Sequence, residues 1–137
     1  MKKSFSFLLA MLVLCISIPW AAASEPIQPM WSNLNSIYGT LSISNGGIAK
    51  VTAKAICKVG KAEKTSVRAS LQQLKSGTWT EIKSWSATRD GLTASVPEKS
   101  WPVAHGYSYR LIVTGSAYQG LQLLEQGTYT KDYGFFK

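Results

Sequence analysis

Few residues in this chain could do covalent chemistry. There is one histidine, His105, and it sits among turn-forming residues. A hydrolytic triad needs a nucleophile, a base and an orienting acid brought together. One His and seven scattered acids are a poor inventory for that. A glycosidase-type carboxylate pair would have to come from Glu81, Asp90, Glu98, Glu125 or Asp132. Nothing in their spacing pairs any two of them. No Cys/His cluster or Asp-rich loop offers metal ligands. No Gly-rich phosphate loop stands between a strand and a helix. The expectation is a protein without a catalytic site, a metal or a cofactor.

Binding chemistry has better material. In GTWTEIKSWS, residues 77–86, Trp79, Glu81, Lys83 and Trp85 share one parity, while Thr80, Ile82 and Ser84 share the other. A regular strand would turn Ile82 to the core and present Trp79, Lys83 and Trp85 as one contact face. Exposed Trp gives a large contact area at low entropic cost. A β-bulge that turns one Trp inward, or Trp side chains covering sheet edges, is the competing arrangement. A second candidate is the stripe Lys50, Lys54 and Lys58, followed by Lys61 and Lys64. It would dock an anionic polymer, or it is a solvated strand face whose lysines block edge-to-edge pairing. Aromatic residues do not interleave with these lysines, which argues against specific nucleic-acid binding. Trp101, before Pro102, reads as a loop lid over the core.

The N-terminus sets the compartment. Lys2 and Lys3 precede an apolar run from Phe7 to Ile18, which Pro19 ends. Ala21, Ala22 and Ala23 supply a small-residue cleavage site. A signal peptide over residues 1–23, cut between Ala23 and Ser24, is expected. Leu14 before Cys15 is too large for a lipoprotein site, so Cys15 reads as an ordinary signal residue. The run is short for a bilayer span, which takes about 20 residues. No second such run follows, so no transmembrane segment is expected in the mature chain. Removal of 23 residues leaves 137 − 23 = 114, enough for one domain. The chain has 15 basic and 7 acidic residues; without Lys2 and Lys3 the balance is 13 − 7 = +6. A basic secreted domain is drawn to anionic surfaces. Cys57 is then the remaining thiol, either a buried small hydrophobe or an intermolecular partner.

The elements that must position these residues are strands. Residues 24–35, with Pro26, Pro29 and Met30-Trp31, read as an irregular leader that packs Trp31 on the body. From residue 36 to 137, short apolar runs alternate with turn signals such as Asn45-Gly46-Gly47, Lys75-Ser76-Gly77 and Arg89-Asp90-Gly91. That rhythm predicts about seven strands in one all-β domain. Residues 49–59 alternate cleanly, with Ala49, Val51, Ala53, Ala55, Cys57 and Val59 on one side. Ile48, Val51, Ala55 and Val59 also fit helical spacing, and a helix competes there. Val67 to Ser86 reads as a hairpin, Leu92 to Val96 as a short strand, and Leu121 to Thr130 as a last one.

In HGYSYRLIVTGSAY, residues 105–118, Tyr107, Tyr109, Leu111 and Val113 alternate with polar residues. Gly106 in a turn and Tyr109 at the strand start resemble the tyrosine corner of immunoglobulin-like and fibronectin type III sandwiches. The resemblance implies an immunoglobulin-like antiparallel β-sandwich, and it implies fold rather than activity. The chain as a whole is similar to small secreted proteins of unknown function from Gram-positive bacteria, which also join a signal peptide to one β-domain. That likeness carries no functional residues to transfer.

The expected function is a secreted, non-catalytic binding or interaction module, extracellular or loosely associated with the cell envelope. Its partner would be a cell-wall polymer, a carbohydrate or an extracellular protein. The alternative is a secreted bacteriocin-like or toxin-like effector acting on membranes or competitors.

Overall fold

A computed structural model describes residues 30–137. The expected signal peptide, its expected cleavage point at Ala23 and Ser24, and residues 24–29 of the expected leader lie outside the described residues. Seven strands follow one another: β1 Leu34–Ile43, β2 Ile48–Cys57, β3 Lys64–Lys75, β4 Thr78–Asp90, β5 Thr93–Pro102, β6 Tyr107–Gln119 and β7 Gln122–Phe136. All pairings are antiparallel. One sheet has the order β1-β2-β5, the other β4-β3-β6-β7. β1 lies over β6 and β7, β2 over β3 and β6, and β5 over β3 and β4. The result is an all-β, seven-stranded antiparallel β-sandwich, as the sequence predicts.

Period-two alternation explains which residues meet between the sheets. β2 buries Ala49, Val51, Ala53, Ala55 and Cys57, none more than 3% exposed, and turns Lys50, Thr52 and Lys54 outward. Those buried residues share one parity, so the competing helix does not form. On the facing sheet, Val67, Ala69 and Leu71 of β3 and Tyr109, Leu111 and Val113 of β6 are fully buried. Small residues let the sheets approach. A Cβ on Gly115 would stand 2.8 Å from Ile37 of β1.

The leader ends earlier than its composition suggests. β1 starts at Leu34, which is fully buried and pairs with Cys57. Trp31 also packs against the core from outside it. At the other end, β7 runs on past Thr130 to Phe136, and the register shift after Tyr109 leaves Tyr133 as an extra residue between Asp132 and Gly134. Among the described residues no helix is long and apolar enough to cross a membrane.

Candidate functional site

The Trp-containing strand β4 is not regular. Leu71 of β3 pairs with Lys83, but the next residue, Gln72, pairs with Glu81. Ile82 is therefore an extra residue, a β-bulge. One inserted residue reverses which face every following side chain takes. Trp85 pairs with Ala69, whose side chain is inside, and it packs against the core. Trp79 pairs with Leu74, in register with the outward-facing Gln72 and Arg68. Trp79 and Trp85 thus lie on opposite sides of the sheet. The single face of Trp79, Lys83 and Trp85 that a regular strand would make is not formed.

Each of the three side chains has its own setting. The Arg110 guanidinium lies 4.2 Å from the centroid of the Trp79 ring, and its Nε donates to Gln72 Oε1 at 2.7 Å. Beside them Glu81 accepts from Arg68 at 2.7 Å. Partial burial raises the Glu81 carboxyl's pKa, but hydrogen bonds from Ser84 and Arg68 and the Arg68 charge outweigh it, and the net shift is downward. Lys83 follows the bulge inward, and its ammonium sits 4.6 Å from the centroid of Trp101 on β5. Trp101 pairs with buried Ala49 and packs on the core, so it belongs to a strand rather than to a loop lid.

Lys83 and Trp85 face the open side of the sandwich, where β4 ends one sheet and β5 ends the other. There the two edges border a cleft of ≈ 490 Å³. Trp85, Ala87 and Arg89 line it from β4; Val96, Pro97 and Lys99 line it from β5. Its remaining lining residues are Ser86, Thr88 and Ser95, so no acidic side chain is among the described residues that line it. The accessible lining is more polar than apolar: Ser86, Thr88, Ser95, Arg89 and Lys99 surround a smaller apolar area from Trp85, Ala87 and Pro97. Sequence parity could not find it, because the bulge and the pairing of remote strands both had to be known.

The lysine stripe is divided by the fold. Lys50 and Lys54 lie on the outer face of the three-stranded sheet, and Lys50 pairs with Glu98 at 3.4 Å. β2 is the middle strand of that sheet, so these lysines guard no edge. Lys58 lies beyond the end of β2 and donates from Nζ to the carbonyl of Trp31.

The remaining residues of interest have structural settings. Tyr109 is fully buried; its hydroxyl donates to Ala104 O at 2.7 Å and accepts from Gln73 Nε2 at 3.0 Å. Gly106, with φ of 91°, makes the turn before it. Cys57 is a buried free thiol that accepts from Thr65 Oγ1 at 3.1 Å. Burial leaves it no approach for a second chain. His105 stacks on Phe136 at 4.2 Å and bonds through Nδ1 to the carbonyl of Lys137. Among the described residues no three His, Cys, Asp or Glu side chains are grouped to hold a metal ion.

One arrangement had no signal in the sequence. The carboxylate of Glu125 on β7 accepts from three successive backbone N–H groups: Ser32 at 2.9 Å, Asn33 at 2.6 Å and Leu34 at 2.7 Å. Partial burial raises the pKa of this group, but those three donors and the Lys58 charge prevail and lower it.

Comparison of the chain with models of known protein families, with curated proteins and with solved structures found no match.

Proposed function

We propose that this is a secreted, non-catalytic binding module that acts at or near the cell envelope, and that the cleft between β4 and β5 is its contact surface. The observation that carries the reading is the composition of that cleft. Arg89 and Lys99 stand with Ser86, Thr88 and Ser95 around a small apolar area from Trp85, Ala87 and Pro97, with no acid among the lining residues. A mostly polar, acid-free lining with two cations beside a partly covered Trp suits a polar or anionic partner. The signal-like N-terminus supports secretion, and the balance of 13 − 7 = +6 left after residues 1–23 supports attraction to anionic envelope material.

The test is retention on the envelope. The secreted protein is purified, its N-terminus is sequenced, and it is sedimented with envelopes from the source organism. The reading expects Ser24 at the N-terminus and co-sedimentation that drops with Arg89→Glu and Lys99→Glu. Retention that ignores both reversals would overturn the cleft as the surface. Growth inhibition of neighbouring cells without retention would favour the effector alternative.

A further inference from the structure

We infer that the ligand of this cleft is an extended acidic peptide segment that joins the four-stranded sheet as a new strand along the free edge of β4. The inference rests on the cleft being the contact surface, and it names the chemistry of what enters.

Among the described residues β4 pairs with β3 alone. One whole side of its backbone therefore has no strand partner among the described residues. From Lys83 to Asp90 the pairing with β3 runs without a register shift, and this stretch contains no proline. It is a regular strand with an open row of backbone donors and acceptors, which is what strand addition uses. Across the cleft, β5 is a poor template. Val51 pairs with Lys99 but Ala53 pairs with Val96, so Pro97 and Glu98 bulge out of register. Pro97 also has no N–H to give. Addition is directed to β4.

The side chains say what kind of strand fits. An added strand would turn alternate residues towards the cleft. At the level of Trp85 and Ala87 they meet a small apolar area, with Pro97 opposite. At the level of Arg89, and beside Lys99, they meet cations. Glu98, the nearest acid on β5, is turned to the other face and held by Lys50 at 3.4 Å. A peptide with apolar residues flanked by Asp or Glu at alternate positions is complementary. A second copy of this chain is not. Pairing two β4 edges would bring Arg89 and Lys99 of both copies to one seam, in a mature chain whose balance is 13 − 7 = +6. Like charges so placed oppose association.

The experiment titrates the isotope-labelled protein with acetyl-Glu-Thr-Val-Thr-Val-Thr-Glu-amide, followed by backbone NMR shifts and amide hydrogen exchange. The expected result is saturable binding, shifts centred on residues 83–90 and 95–99, and slowed exchange along β4. Reversing both Arg89 and Lys99 to Glu should weaken binding at least roughly tenfold, as two lost charge pairs would. Replacing the two probe Glu residues with Lys should abolish binding. The all-D peptide has the same charge and apolar content but the opposite strand twist, and it should bind poorly. Equal binding of the L and D peptides, or of polygalacturonate, would show that charge alone is read, and strand addition would be overturned while the cleft kept its role. Envelope retention that depends on Arg89 and Lys99, with no peptide binding, would do the same. Peptide binding without envelope retention would leave the inference standing and overturn the proposed function.

Discussion

Glu125 on β7 accepts a 2.7 Å hydrogen bond from the backbone N–H of Leu34, the first residue of β1 and 91 positions earlier in the chain. The same carboxylate takes the N–H groups of Ser32 and Asn33. Three donors converge on one anion, so the entry to β1 is closed by charge as well as by packing.

A carboxylate whose folded pKa is lowered stabilises the fold above its unfolded pKa, near 4.3 for Glu. That contribution fades as pH falls through the lower, folded value. Glu125→Gln keeps the shape but loses the anion, and it should cost about 1 kcal/mol at neutral pH. Urea denaturation across pH should show the gap between wild type and variant closing in the acid range. A gap that stays constant from neutral pH into strong acid would reject the charged clip.

The two bulge-separated tryptophans should differ in what they contribute. Trp85 packs on the core beside Ala69, and Trp85→Ala should cost roughly 2–3 kcal/mol, below the full-burial range because the ring is only partly covered. Trp79 lies under Arg110 on the outer face, and Trp79→Ala should cost about 1 kcal/mol or less. Equilibrium denaturation of the two variants decides it. Equal losses would mean that the bulge does not separate their environments.

Tyr109→Phe removes one hydroxyl that both donates to Ala104 O and accepts from Gln73. About 1–2 kcal/mol should be lost, since a buried hydroxyl leaves both partners wanting. In a domain of this size each 1 kcal/mol lowers Tm by roughly 4–8 °C. Gly106→Ala should destabilise independently, because φ of 91° is strained for any residue with a Cβ. A calorimetric Tm unchanged in Tyr109→Phe would remove the hydroxyl from the account of stability.

Cys57 should resist a thiol reagent in the folded protein and react at the rate of opening. Labelling under native conditions and in denaturant, read by mass, checks this. Fast native labelling, or a disulfide-linked dimer on a non-reducing gel, would contradict the burial seen here.

The sequence by itself determined the strands. Ala49 to Cys57 alternate because a half-buried strand has a period of two, and that period is local. The turns around Gly77 and Gly91 are equally local, since the left-handed backbone there, with φ of 77° and 99°, calls for glycine. Tertiary structure decided everything that depends on one strand's relation to another. The bulge at Ile82 is a single extra residue judged against β3, and parity within β4 cannot show it. It separates Trp79 from Trp85 and carries Lys83 over Trp101. The place of β2 in the middle of its sheet removes the edge-guarding role from Lys50 and Lys54. The meeting of β4 and β5 makes the cleft, and the crossing of β1 with β7 makes the Glu125 clip. The clip joins residues 91 positions apart, and the cleft exists because two strands that are neighbours in the chain pair into different sheets, with β3 and with β2; no local pattern records which distant partner a strand will have.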